Sequence, residues 1–432
     1  MFNAILILIA IGLSIWLGEK LDINVGLIAG AFAYLIGCFV LGMKVTDVVA
    51  TWPTKLFLVI FGIGLFFNFA VVNGTLDKIA SILLYRFRNQ RLLLPLVLYF
   101  VTALVSGMGA AFFTSVAVMG AIAMVLCRQI DLDRVQASMA VSLGALSGAN
   151  FPASAHGVLF NGLLAETAIG DQAASITQGI FLVSFVYPIV VLGVMVFMSR
   201  KKAVAGTLQI EKPEPFTGKQ KVNLFLIALL MVLVLFVPAL GQAFKGNAAI
   251  EFVSSRVDVS LLAIVFAIIA YILKLADNPK EVFAKVPWET IWLVGGVGML
   301  VEVASEAGTI DLLASLITMI PAPLVAIAVC VIAGVMSIFS STLGVVAPLM
   351  FPMVAGISAA SGLSPMLISI AIIIGAQSTA VAPFSTGGSL ILGSSGLEGA
   401  DQKKFYNDLM FRGSGEGMLF AVMATFVLSF FL

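Results

Sequence analysis

The sixteen residues from Gly144 read Gly-Ala-Leu-Ser-Gly-Ala-Asn-Phe-Pro-Ala-Ser-Ala-His-Gly-Val-Leu. The sixteen from Gly375 read Gly-Ala-Gln-Ser-Thr-Ala-Val-Ala-Pro-Phe-Ser-Thr-Gly-Gly-Ser-Leu. Eight positions are identical at one constant offset and without a gap: Gly144/Gly375, Ala145/Ala376, Ser147/Ser378, Ala149/Ala380, Pro152/Pro383, Ser154/Ser385, Gly157/Gly388 and Leu159/Leu390. Both copies lie in apolar sequence, where Pro removes a helical hydrogen bond and frees nearby carbonyls. Backbone at membrane depth is non-helical only where protein or water covers it. Two such breaks, one per half, predict a duplicated helical membrane protein whose working site lies at the discontinuities.

Composition agrees with that constraint. Of 432 residues 61% are hydrophobic and 10% charged, against roughly a quarter charged in soluble domains. A net charge of +1 argues against nucleic acid, which needs dense basic patches. Cys38, Cys127 and Cys330 lie in apolar segments and read as small core residues. Phe2 to Leu17 has no basic leader or small-residue cleavage site, and reads as a span.

Apolar stretches predict spans near 3–19, 22–43, 54–73, 137–165 and 176–199, then 222–241, 258–275, 289–306, 364–394 and 412–432. Two further apolar regions, 92–127 and 322–360, are each interrupted by a polar knot. The knots are Phe113-Thr114-Ser115 and Ser340-Ser341-Thr342. Each region is predicted to be a re-entrant hairpin with a hydroxyl-rich tip. If 92–127 enters and leaves on one face, Arg86, Arg88 and Arg91 share a side with Arg128 and Arg134. The positive-inside rule makes that side cytoplasmic. Propagating the alternation puts every Lys and Arg inside except Lys44, Lys55, Lys245 and Arg256. No Lys or Arg occurs between Lys285 and Lys403, which keeps the second hairpin outside.

The predicted fold is therefore an all-α polytopic membrane protein of two inverted five-span repeats, each with a re-entrant hairpin and a broken helix. Repeat one covers 1–199, a cytoplasmic linker 200–221 and repeat two 222–432, with both termini extracytoplasmic. Further echoes support the duplication. Gly62-Ile63-Gly64 answers Gly296-Val297-Gly298, and Gly74-Thr75-Leu76-Asp77 answers Gly308-Thr309-Ile310-Asp311, at a second shared offset slightly longer than the first. Gly107 and Phe112 answer Gly334 and Phe339 before the tips. Val45–Trp52 and Pro279–Pro287 are mixed in polarity and predicted to lie along the interface.

Candidate transport residues follow from the tips and breaks. Thr114, Ser115, Ser341 and Thr342 at the tips, with Pro152, Ser154, His156, Pro383, Ser385 and Thr386 at the breaks, are assigned to substrate. Ser147, Asn150, Ser340, Ser378 and Thr379 are assigned to a coupling cation, Na+ or H+. Half-helix N-termini suit an anion, and freed carbonyls and hydroxyl oxygens suit dehydrated Na+. The competing reading is that intramembrane Ser and Thr bond to their own backbone. His156, the single histidine, is matched by Gly387 in the other repeat, so the halves differ there. Glu302, matched by Asn68, is an intramembrane carboxylate near a helix end. Asp77 and Asp311 read as first-turn acids. Catalytic triads, zinc spacings and P-loops are missing from the sequence, so it does not read as an enzyme or ATP-driven pump.

At Ile23-Asn24-Val25-Gly26, Gly42-Met43-Lys44 and Asn73-Gly74-Thr75-Leu76-Asp77, the first half resembles the MatC-type dicarboxylate carriers. The whole-chain plan is similar to the wider ion transporter superfamily, including the divalent anion:sodium symporters. That resemblance implies a homodimer in a bacterial inner membrane, with a transport domain moving as an elevator. It also implies Ser-Asn-Thr tips that bind carboxylates and line Na+ sites. Both tips here lack the Asn. The expectation is a cation-coupled importer of a malonate- to succinate-sized dicarboxylate, with no cofactor beyond the coupling ion. A Na+/H+ antiporter, a carrier of another small organic anion such as a monocarboxylate or hydroxy acid, and a passive anion channel are its competitors.

Overall fold

A computed structural model describes residues 2–432 except 22, 88–90, 111, 131, 200–211, 245, 287, 309–319 and 339–341. Every regular element among them is helical. The first half runs α1 (Phe2–Leu21), α2 (Val25–Phe39), α3 (Val45–Ala50), α4 (Thr54–Val72), α5 (Thr75–Phe87), α6 (Leu94–Val105), α7 (Phe112–Ile130), α8 (Arg134–Ala149), α9 (Ala155–Ala165) and α10 (Ala173–Ser199). The second runs α11 (Gly218–Ala243), α12 (Ala248–Ser254), α13 (Val259–Ile272), α14 (Pro279–Ala284), α15 (Trp288–Glu306) and α16 (Ala322–Ile338). It continues with α17 (Thr342–Ser361), α18 (Pro365–Ser378), α19 (Thr386–Ser394), α20 (Gly399–Asn407) and α21 (Ser414–Leu428).

The chain is a multi-pass helical membrane protein with broken and bent helices. Among the described residues two helices, Gly170–Met198 and Thr342–Ser361, are long and apolar enough to cross a bilayer. The number rises to four if each bent pair counts as one span: Ile60–Val72 with Thr75–Ile82, bent by 63°, and Ala248–Ser254 with Val259–Ile272, bent by 77°. Shorter apolar helices make up much of the remaining bundle, because polar breaks divide long apolar stretches. One face of α10 shows the membrane surface directly. Leu182, Val186, Val190 and Val194, one turn apart, are exposed, while Thr177, Ile180, Ser184, Tyr187 and Val191 on the opposite side are buried. An apolar stripe left open in this way belongs against lipid.

Helix boundaries recur at the offsets read from the sequence. Helices α14 and α15 repeat the starts and ends of α3 and α4 at the offset that relates Gly62 to Gly296. The starts of α18 and α19 repeat those of α8 and α9 at the offset that relates Gly144 to Gly375. Side-chain caps are used in both halves. Asn24 accepts the Gly26 N–H at 2.9 Å ahead of α2, and Asp258 accepts the Leu261 N–H at 2.9 Å ahead of α13. Losing such a cap costs about 1 kcal/mol. Asp258→Ala should therefore lower the unfolding midpoint in detergent by an amount that Asp258→Asn largely restores.

The equivalent helices also exchange contacts between halves. Helix α4 packs on α13, and α15 packs on α2. A Cβ on Gly62 would collide with the Ser260 carbonyl oxygen, and one on Gly296 with that of Gly26. Ser260 is as far along the chain from Gly26 as Gly296 is from Gly62, so each crossing is the other with the halves swapped. A large apolar core runs from α4 to α21, and a smaller one joins α1, α2 and α15. Glu302 has its side chain exposed on α15, away from both. Its counterpart Asn68 is buried and donates to the Val282 carbonyl at 3.1 Å. Asp77 stands in the first turn of α5 as read; Asp311, and the linker residues Arg200-Lys201-Lys202, lie outside the described residues.

Candidate functional site

Both expected breaks are present. Residues 150–154 separate α8 from α9, and residues 379–385 separate α18 from α19. The two are built alike. A Cβ on Gly157 would strike the Phe151 carbonyl oxygen, and one on Gly388 the Ala382 oxygen, which is the same contact carried from one repeat to the other. Glycine is required because the loop folds back onto the first turn of the following helix. On the other side of each break, α8 crosses α6 and α18 crosses α16 at contact distance. Gly144 lies against the Tyr99 carbonyl and Gly375 against that of Cys330, and both members of the pair keep the repeat offset. The next crossing differs. Gly148 abuts the Ala103 carbonyl directly, whereas its counterpart Thr379 donates its hydroxyl to the Gly334 carbonyl at 2.7 Å.

The turn that follows α6 is fastened to the first break on both sides. Ser106 Oγ donates to the Ala145 carbonyl and Ser154 Oγ to the Gly107 carbonyl, each at 2.7 Å. That turn, Ser106–Ala110, is a π turn, and another at Thr342–Val346 opens α17. Such turns are frequent at functional positions.

Between these pieces is a small, partly open cavity. The first half lines it with Phe112, Phe113, Leu146 and His156; the second with Ser337, Thr342, Leu343, Ala380, Ser385 and Gly387. The starts of α7 and α17, the helices flanking the first break and the second break itself therefore reach one space. Lys, Arg, Asp and Glu are absent from the described lining, so an anion here would be held by dipoles and hydroxyls.

Three of the expected substrate residues, His156, Thr342 and Ser385, line this cavity. Thr342 Oγ1 is 3.3 Å from Ser337 Oγ. Ser385 caps α19 by accepting the Gly388 N–H at 3.1 Å, and donates to the Ala380 carbonyl at 2.6 Å or that of Ala382 at 2.8 Å. His156 Nδ1 is 3.3 Å from Asn150 Oδ1, and Asn150 Nδ2 donates to Ser184 Oγ at 3.0 Å. With the amide so oriented, Nδ1 carries the ring proton and Nε2 of the neutral ring is an acceptor.

The other assigned residues are not among the lining. Ser154 turns to Gly107 as described, and Pro152 and Pro383 form the break loops. Thr114 is half-buried. Ser115 is buried with its hydroxyl unpartnered. Thr386 opens α19, its side chain outside the described set, as are Ser340 and Ser341. Of the cation candidates, Ser147 donates to Leu143 or Ser184 carbonyls at 2.7 and 2.6 Å, Ser378 to Gly375 at 2.6 Å, and Thr379 to Gly334. Their hydrogens are committed to backbone carbonyls, while oxygen lone pairs remain. Groups of three or more His, Cys, Asp or Glu able to hold a metal do not occur among the described residues.

The sequence reading missed Ser337, Ser184 and the aromatic face of the first tip. Ser337 and Ser184 were detectable as hydroxyls inside apolar helices. The inward direction of Phe112 and Phe113 was not, because aromatic residues in a membrane helix face lipid equally well.

Residues 1–149 match the family described as the dicarboxylate carrier protein MatC N-terminus. A search of curated proteins finds no match. Among solved structures the chain is similar to the Alcanivorax borkumensis YdaH transporter, whose crystal structure is described as revealing an unusual topology. The identity is 15%, the match covers 89% of this chain and 88% of that one, and the TM-score is 0.59. At that identity the likeness is one of fold. The family match is confined to the first third of the chain, and the likeness over the whole chain is to the fold of a transporter.

Proposed function

We propose that the protein is a secondary transporter of a small carboxylate anion, coupled to Na+ or H+ and working by elevator-type alternating access. The observation that carries this reading is a cavity lined from both halves of the chain, beside both helix breaks. In this reading the chain is two inverted five-span repeats with hairpins at 92–127 and 322–360. The swapped Gly62–Ser260 and Gly296–Gly26 crossings support it, because a twofold axis between halves requires contacts to exchange in that way. The protein would be a homodimer in a bacterial inner membrane, termini outward.

Thr342 and Ser337 hold the anion, with the open first-turn N–H groups of α19 adding a partial positive charge. Ser147, Asn150, Ser378 and Thr379 supply oxygens beside the breaks for a cation. The MatC-type first third favours a malonate- to succinate-sized dicarboxylate. A different observation favours the second reading, an anion with one carboxylate: the first-half wall of the cavity is aromatic and aliphatic apart from His156.

Uptake of labelled malonate, succinate and monocarboxylates into proteoliposomes, under an imposed Na+ or proton gradient, tests the proposal. Gradient-dependent, saturable uptake of at least one is expected. Gradient-driven proton exchange without any substrate would instead make the protein an antiporter. Removing a hydrogen bond to a charged ligand costs about 1.5–3 kcal/mol. Thr342→Val should therefore raise the half-saturating concentration roughly ten- to a hundredfold, with folded protein recovered in normal yield.

A further inference from the structure

We infer that the substrate carries one carboxylate on an apolar body, held with the carboxylate against the second half and the body against the first. The inference rests on the transporter reading above and narrows it.

The cavity's hydroxyls all come from the second half, at Ser337, Thr342 and Ser385. Their free donors are few. The Ser385 hydrogen is committed to the Ala380 or Ala382 carbonyl. The contact between Ser337 and Thr342 uses one hydrogen of the pair and leaves one. That hydrogen and the first-turn N–H of Gly387 can serve a single carboxylate. Among the described lining residues no further donor is left for a second carboxylate.

Nothing on the described facing wall serves a second. Phe112, Phe113 and Leu146 present carbon, and the one polar group, His156, has its Nδ1 turned to Asn150. The remaining Nε2 of the neutral ring offers a lone pair, which repels a carboxylate oxygen. A dianion would thus leave one charge desolvated without donors, a heavily penalised arrangement.

The asymmetry is built into the duplication. Where the first half has His156 the second has Gly387, and the Phe112 ring fills the space so vacated. A Cβ on Gly387 would lie 2.7 Å from Phe112 Cζ. Phe113, in turn, stands where the second tip has Ser340. An aromatic ring in place of a hydroxyl turns one of two matching polar tips into an apolar wall.

The test is binding to the purified full-length protein in detergent at pH 7 by isothermal titration. Binding is chosen because protonated monoacids cross lipid unaided. The probes are succinate, malonate, hexanoate and phenylacetate. At least one monocarboxylate should bind at least tenfold more tightly than either diacid. Phe113→Ser should reduce that preference at least tenfold, mainly by weakening the monocarboxylates. If Phe113→Ser does not fold, Phe113→Thr, which also puts a hydroxyl in place of the ring, replaces it with the same expectation. Diacids bound as tightly as the monocarboxylates, or more so, would overturn the inference and leave the carboxylate transporter standing. So would a preference unchanged in a folded variant. If none of the four binds, the transporter reading falls and takes the inference with it.

Discussion

Valine at Gly148 or at Gly375 is expected to abolish recovery of monodisperse folded protein. Both glycines sit where a helix that ends at a break crosses a neighbour, α8 on α6 and α18 on α16, and both lack room for one more carbon. A Cβ at Gly148 would collide with the Ala103 carbonyl oxygen and lie 2.7 Å from the Gly107 nitrogen. At Gly375 the obstacle is the Cys330 carbonyl, with its carbon at 2.8 Å. These neighbours are backbone in packed helices and cannot rotate away as a side chain does. Overpacking of a core costs about 1–3 kcal/mol when side chains can yield, and more here because whole helices must separate. Gly193 on α10 has nothing within 4 Å of its would-be Cβ. Gly193→Ala should be stabilising by up to about 1 kcal/mol through helix propensity. Size-exclusion profiles and unfolding midpoints in one detergent check all three variants. A folded Gly148→Val protein of normal stability would mean that the α6–α8 crossing is not as described.

Leucine at Asn150 is expected to cost roughly 2–4 kcal/mol in stability and to depress uptake at least tenfold, because buried polar groups lose partners. Asn150 is fully buried at the first residue of the break. Its amide joins Ser184 on α10 to His156 on α9. Leucine removes both hydrogen bonds, leaves the imidazole Nδ1–H unpaired in an apolar surround, and frees the ring to turn between Phe112 and Phe160, whose centroids lie 6.3 and 5.9 Å away. Ser184→Ala is the milder control. It removes one acceptor and leaves the Asn150–His156 contact in place, so uptake should fall less. Equal uptake in wild type and Asn150→Leu would exclude this network from transport.

Much of the architecture was legible before any coordinates. Proline with flanking serine and glycine inside apolar sequence has few outcomes in a membrane, and both breaks fall at Pro152 and Pro383. The two repeat offsets reappear in helix boundaries. They reappear again as pairs of contacts, Gly144–Tyr99 with Gly375–Cys330 and Gly62–Ser260 with Gly296–Gly26. Span counting transferred less well. Among the described residues two helices, or four with each bent pair joined, have the length and apolarity of a bilayer crossing.

The site was legible as a neighbourhood and not as a list. Ser147, Ser378 and Thr379 each send their hydrogen to a backbone carbonyl, which leaves their oxygens and not their hydrogens to face a ligand. Ser115 looked like Thr342, yet only Thr342 lines the cavity, while Ser115 is buried without a partner.

Sequence by itself determined that this chain is a duplicated helical membrane protein and where its helices must break, because those outcomes depend on residue type along one dimension. The tertiary structure alone decided which hydroxyls meet the cavity and which are spent on backbone, and that Phe112 lies over Gly387. A helix turns through about 100° per residue. The direction of a side chain is therefore fixed by how neighbouring helices are rotated and how closely their backbones approach, which residue identities do not encode locally.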